Sequence, residues 1–267
     1  MTGRTQRAGR AVVVEEFGGP EVLRVVVTDV PEPGPGEVRL EVRAAGVNPA
    51  DVKARRGLFG GGLPRRLGSE VAGVVVEVGP DVAGVGVGVG VGDEVIGFRV
   101  VGGYASELVV PVDALTPKPA SVTWEEAAGL MVAGAAAVHA LTATAVGEGD
   151  VVLVHGASGG VGQAAVQLAR LRGARVIGTA SPRNHALVRE LGAEPVAYGD
   201  GLADRVRDLA PAGVSAALDL VGTDEALDVS LALVADRHRI ATIANFDRGP
   251  AAGVRVLGGG PGADPGT

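Results

Sequence analysis

The sequence predicts an α/β protein in two halves, a compact β-rich half followed by a doubly wound parallel sheet. Three observations carry this. Residues 11 to about 115 hold short Val-rich runs separated by Pro and Gly turns such as "PEPGPGE", punctuation that suits a barrel-like domain. From Ser121 the texture changes, and strand-like and helix-like segments alternate, which implies parallel pairing with right-handed crossovers. Finally, 46% of the 267 residues are apolar but only 3% are aromatic, so a substantial core must be built from small and β-branched side chains. The expected division falls at residues 1–120 and 121–267.

In the first half the strand-like runs are "AVVVEEF", "VRLEVRAAGV", "VAGVVVEVG", "DEVIGF" and "ASELVVP". The repeat "AGVGVGVGVG" at 83–92 reads as a flexible or irregular hairpin. A phosphate cradle would open a helix, and Asp93-Glu94 would repel an anion. Thr123-x-x-Glu126 is a capping box ahead of an Ala-rich helix. The run Ala127–Val146 could span a bilayer by length, but acids flank it and Ala, Gly and Thr dominate it, so it reads as a buried helix. Beyond it, Val151–His155, Arg175–Thr179, Pro195–Tyr198, Val214–Leu220, Arg239–Ile243 and Val254–Leu257 read as strands. Gly162–Arg172, His185–Leu191, Leu202–Leu209 and Glu225–Val234 read as helices.

A net charge of −7 without a Lys/Arg cluster argues against a nucleic-acid partner. The absence of cysteine removes disulfides, thiolate nucleophiles and Cys-held structural zinc, and it fits a reducing, cytoplasmic setting. The opening "MTGRTQRAGR" lacks the apolar run of a secretory signal and reads as a short disordered start.

Function turns on "VVLVHGASGGVGQAAVQLA", Val151–Ala169. Gly156-x-Ser158-x-Gly160 fits the elbow that exposes a nucleophilic serine, and Asp219, Asp224, Asp236 and His238 follow in triad order. Against that reading, the preceding residues are β-rich with one long helix, and no oxyanion segment of the His-Gly-Gly type lies upstream. The alternative takes Gly156, Gly159 and Gly162 as a dinucleotide fingerprint. Gly156 then serves the tight turn, Gly159 the approach of a diphosphate, and Gly162 close helix packing. The loop follows a strand and opens a helix with no acid in its first turn, so the dinucleotide reading explains more residues. Ser158, Gly160 and Val161 are then contacts rather than reacting groups. No acid follows the second strand before Glu190, whereas Thr179, Ser181 and Arg183 stand at its end. A carboxylate there would repel a ribose 2′-phosphate and Ser181 with Arg183 would bind one, which favours NADPH over NADH. Tyr198 is either an adenosine contact or a half-buried strand-end residue.

Together "PEPGPGEVRLEVRAAGVNPADVKARRG", "LGSEVAGVVVEVG", "VGDEVIGF", "GGYASELVVP" and "HGASGGVGQAAVQLAR" resemble the zinc-independent medium-chain dehydrogenase/reductases, in the NADPH:quinone oxidoreductase (zeta-crystallin-like) group. The resemblance implies a GroES-like β-barrel catalytic domain at 1–120 and a Rossmann NADPH-binding domain at 121–267. It also implies metal-free hydride transfer from NADPH to a small-molecule quinone or α,β-unsaturated carbonyl. Zinc-dependent relatives place ligands in segments that here read "GVNPAD" and "GSE", without Cys or His. Asn48 matches the family's asparagine and is either a donor near the nicotinamide or substrate, or a turn asparagine before Pro49. Lys53, on the same loop, is a second catalytic candidate or a solvated lysine. Val221-Gly222 and Asn245-Phe246 match positions that border nicotinamide, and pairing of sixth strands through Val254–Leu257 implies a homodimer.

Three departures stand out. Ala136 replaces the family's threonine, the 82–92 hairpin is longer than usual, and the usual C-terminal return segment after the sixth strand is expected to be missing. The first and the last leave open a non-catalytic or degraded NADPH-binding module, and the fold also admits a polyketide-type enoyl reductase.

Overall fold

The computed structural model describes residues 7–82 and 88–258. Its chain separates into two compact units, Met1–Val132 and Ala133–Thr267.

The first unit holds β1 (Arg7–Val14), β2 (Leu23–Val30), β3 (Glu37–Ala45), α1 (Pro49–Arg55), β4 (Arg65–Arg66), β5 (Glu70–Val78), β6 (Glu94–Phe98), β7 (Glu107–Pro111), β8 (Leu115–Pro117) and α2 (Trp124–Ala128). Among the described residues two sheets form, ordered β2-β1-β4 and β7-β3-β5-β6-β8, and their pairings are antiparallel. Val38 and Leu40 of β3 alternate onto the face that meets Val71, Val75, Val95, Leu108 and Val110, and this is the core the Val-rich runs announced. β5 and β6 are an antiparallel pair, so the Val-Gly repeat joins their ends; its residues 83–87 lie outside the described residues. Asp93 accepts from the Gly90 N–H at 2.7 Å, within the loop's own chain.

The second unit continues α3 (Met131–Ala143) with β9 (Val151–His155), α4 (Gly160–Leu171), β10 (Arg175–Thr179), α5 (His185–Glu190), β11 (Glu194–Val196), α6 (Leu202–Leu209), β12 (Ala216–Asp219), α7 (Asp224–Leu233), β13 (Ile240–Thr242), α8 (Gly249–Ala252) and β14 (Arg255–Val256). All its strands pair in parallel, in the order β11-β10-β9-β12-β13-β14. That is the doubly wound Rossmann order, with its switch point beside β9. Val152 and Val154 pack into one core and Leu153 into another, so β9 is covered on both faces. In α4 the buried residues Gly162, Ala165, Val166 and Ala169 recur at helical spacing and form the face that meets the sheet.

One expectation needs correction. The uncharged run Ala127–Val146 is two helices, because α2 stops at its C-cap Gly129 before α3 begins at Met131. In α3, Ala137, Ala140 and Leu141 are buried while Val138 is 46% exposed, so one face only is covered. Among the described residues no helix is long and apolar enough to cross a membrane.

Candidate functional site

The carboxyl ends of β9, β10 and β12 surround a cleft of about 440 Å³. Gly156, Ser158, Gly159, Thr179, Ser181, Arg183, Tyr198 and Val221 line it, eight of the residues singled out in the sequence. The floor is built by the turn after β9. Gly156 sits at φ +79°, a left-handed conformation that glycine adopts without strain. Its N–H donates to Thr179 Oγ1 at 3.0 Å and the Ala157 N–H to the Thr179 carbonyl at 3.0 Å, which tie the turn to β10. Gly162 lies behind the turn; a Cβ there would press into the Gly156 carbonyl and approach Ala157 Cα to 2.8 Å. The first intrahelical bond of α4 runs from Gln163 N–H to the Gly159 carbonyl, so the N–H groups of Gly160, Val161 and Gly162 precede it. No acid occupies that first turn, which leaves the positive end of a 12-residue helix facing the turn.

Ser158 is bonded to side-chain amides, not to a base. Its hydroxyl oxygen accepts from Asn184 Nδ2 at 3.1 Å, and its carbonyl from Gln163 Nε2 at 3.1 Å. Of the triad candidates, His238 lies at the other end of the sheet and Asp219 is engaged. His238 precedes β13, at the amino end of a parallel strand, whereas Ser158 follows the carboxyl end of β9. Asp219 is fully buried and its oxygens accept from Val221 N–H, Gly222 N–H and the Thr242 hydroxyl.

His155, beside the cleft, escaped the sequence reading. Ser230 gives its one hydroxyl hydrogen to the Ala226 carbonyl at 2.7 Å, so at 3.1 Å it must accept from His155 Nε2–H. Burial pushes the imidazole down to about 4, and it stays neutral at neutral pH. An unfolded histidine titrates near pH ~6.5. The native state therefore resists a proton that the unfolded chain accepts. Its contribution is full above about pH 6.5 and declines by roughly 3 kcal/mol as pH falls toward about 4. Urea unfolding of the protein and of His155→Gln should diverge in that window, with the variant less sensitive to acid. Parallel curves would refute the assignment.

Asn184, Thr223 and Glu225 also line the cleft without having been singled out. Glu225 accepts from the Gly199 N–H at 2.8 Å, which pins the loop carrying Tyr198. Tyr198 itself lies beyond β11 and is 59% exposed. Gly160, Val161, Gly162, Gly222, Asn245 and Phe246 are not in the cleft lining. Gly222 packs against Ala244, and Thr242 Oγ1 accepts from the Asn245 N–H at 2.9 Å, so both loops hang on the Asp219–Thr242 pair.

The catalytic candidates belong to the first unit. Asn48 is the N-cap of α1, with Pro49 in the first helical position, so the structural role of a turn asparagine is real. Its amide does more than cap. Asn48 Nδ2 donates to Glu70 Oε1 at 2.8 Å, and Glu70 Oε2 accepts from the Val132 N–H at 2.8 Å. Asp51 accepts from the Asn48 and Gly68 N–H groups at 2.9 and 3.2 Å. Lys53 lies half-buried in the last turn of α1. Tyr104 stands beside Asp51, and burial followed by that carboxylate raises its phenol well above the usual range.

Comparison with known proteins fits both units. A family profile for an alcohol dehydrogenase GroES-like domain matches residues 34–120, and one for a zinc-binding dehydrogenase matches 160–257. The quinone oxidoreductase of Pseudomonas aeruginosa is 37% identical over 247 residues, 90% of this chain and 74% of that protein. The chain belongs to the quinone oxidoreductase group of the medium-chain dehydrogenase/reductases.

Among solved members of this family, a mycobacterial protein complexed with NADPH is 36% identical with a TM-score of 0.83, covering 94% of this chain and 81% of that one. Polyketide synthase GfsB of Streptomyces halstedii is 41% identical over 217 residues, 80% of this chain and 4% of the synthase. The chain spans 58% of the mouse and 59% of the rat quinone oxidoreductase. In this family member the residues do not fit a zinc ion. Asp51 and Glu70 have their oxygens taken by N–H donors, and no group of three His, Cys, Asp or Glu converges among the described residues.

Proposed function

We propose that the protein is an NADPH-dependent, metal-independent reductase of quinones or α,β-unsaturated carbonyls. The observation that carries the reading is the cleft at the Rossmann switch point, where the acid-free start of α4 meets Ser181 and Arg183. The turn from Gly156 to Gly162 fits a diphosphate, since glycine keeps side chains from its path. Ser181 and Arg183 hold a 2′-phosphate, Tyr198 covers the adenosine, and the loops of Val221-Gly222 and Asn245-Phe246 flank the nicotinamide. Bound NADPH supplies the hydride. Asn48 donates to the acceptor oxygen on which negative charge develops, and Lys53 adds a positive charge on the same helix. A proton from solvent or a nearby donor completes reduction of an enone at the carbon next to its carbonyl. Pairing of β14 edges between two copies gives a homodimer.

GfsB favours a second reading, an enoyl reductase acting on acyl thioesters, because the chain's similarity to a polyketide synthase is as high as to the quinone oxidoreductases. Loss of NADPH absorbance at 340 nm with quinones, free enones and an enoyl thioester tests both readings, and absence of turnover with all three refutes them. Arg183→Ala should weaken NADPH by roughly 10–100-fold, the worth of a charge-assisted bond, and leave NADH affinity unchanged. Equal losses for both cofactors in calorimetry would remove Arg183 from the 2′-phosphate site.

A further inference from the structure

We propose that Glu70 is the positioning residue of Asn48, and that its carboxylate fixes which end of the Asn48 amide is available to an acceptor. The inference rests on the donor role proposed for Asn48, although the amide's orientation can be measured without turnover.

Glu70 is 1% exposed, and each of its two oxygens receives one N–H, from Asn48 Nδ2 and from Val132. Val132 belongs to the first turn of α3, where N–H groups have no acceptor within the helix and favour a negative partner. The site therefore presents two donors to one buried group, and a carboxylate is the side chain with two acceptors to match them. Room for it comes from Gly46, where a Cβ would collide with the Glu70 side chain and the Ala128 carbonyl; the Gly46 N–H in turn bonds the Glu70 carbonyl at 3.2 Å.

This fixes Asn48. Turning its amide over would set a carbonyl oxygen against a buried carboxylate, acceptor against acceptor. The backbone beneath it cannot swing either, since Asp51 clamps the Asn48 N–H. One Nδ2 hydrogen is given to Glu70, and among the described residues the second has no partner. Asn48, half-exposed, thus offers a single N–H of set direction. Glu70→Gln reverses the arrangement. The fixed Val132 N–H claims the new carbonyl, the new NH₂ faces Asn48, and the Asn48 amide turns to offer its oxygen inward.

The test uses the Asn48 side-chain amide in ¹H–¹⁵N spectra of the full chain, identified by its loss in Asn48→Ala. In the unaltered protein one Nδ2 proton should lie downfield and exchange slowly with water while the other exchanges freely. Glu70→Gln should abolish that asymmetry and lower kcat by ~10–100-fold, the usual effect of a residue supporting a ligand from behind, with KM for NADPH unchanged. Adding Asn48→Ala to Glu70→Gln should cost nothing more, because the two act as one unit. Equal exchange of both protons in the unaltered protein overturns the inference, even if the variant fails to fold. So do unchanged signals in Glu70→Gln, or losses of the two substitutions that multiply. An unaltered protein that turns over no acceptor defeats the proposed function instead, and the proton exchange still decides the role of Glu70.

Discussion

Gly162→Val should cost at least about 3 kcal/mol in urea unfolding and abolish NADPH uptake, whereas Gly160→Ala should leave stability within about 1 kcal/mol. The two glycines are separated by one residue and meet different surroundings. A Cβ on Gly162 runs into the Gly156 carbonyl and the Ala157 backbone, which belong to the turn and cannot rotate away. A Cβ on Gly160 meets only the Ala133 methyl, at 3.8 Å, an ordinary contact. Overpacking against backbone forces the α4–β9 junction apart, and the turn that would carry the diphosphate moves with it. Equal stability of the two variants, or calorimetry in which Gly162→Val still takes up NADPH, would show that the close approach is not what holds the turn.

That contrast marks the reach of the sequence. Val151–His155, Arg175–Thr179 and Leu202–Leu209 occur with the bounds read from it. Covered strands give unbroken apolar runs, and α6 buries Leu202 and Val206 at helical spacing. The residues clustered at the carboxyl ends of β9 and β10 were legible too, because chain order and the switch point of a doubly wound sheet fix where strand ends meet. Partners far apart in sequence were not. Asn184 reaches Ser158 and Glu225 reaches Gly199 over 26 residues, and Glu70 reaches Asn48 over 22, through contacts with no local periodicity to betray them. In "GSE" the sequence displays only the absence of zinc ligands, while its glutamate accepts from the Asn48 amide. The uncharged run departs from its expected single helix for a related reason. Composition shows that the run is uncharged and helix-forming, but the break at Gly129 is set by the α2 cap and only one face of α3 is covered.

Asp219 is the sharpest case of such a hidden partner, and Asp219→Ala should lower stability by about 3–5 kcal/mol, the cost of breaking a buried charged network. One carboxylate, fully buried, receives Val221 N–H at 3.1 Å, Gly222 N–H at 2.8 Å and the Thr242 hydroxyl at 2.8 Å. Thr242 spends its hydrogen on Asp219 and accepts from Ala244 and Asn245 N–H at 3.2 and 2.9 Å. Removing the carboxylate strands two part-buried amides and a buried hydroxyl, and frees both loops after β12 and β13. Asp219→Asn should cost less, roughly 1–2 kcal/mol, because its remaining oxygen still accepts from Val221 and Gly222 while its NH₂ confronts Thr242. That ordering separates hydrogen-bond satisfaction from packing, since asparagine conserves volume and alanine does not. Chemical unfolding that finds Asp219→Ala within 1 kcal/mol of the unaltered protein, as an estimate of what a surface change costs, would mean that the loops are held by their backbone alone. If instead the folded Asp219→Asn protein binds NADPH more weakly, the carboxylate orders the Val221 and Asn245 loops for the cofactor as well as for the fold.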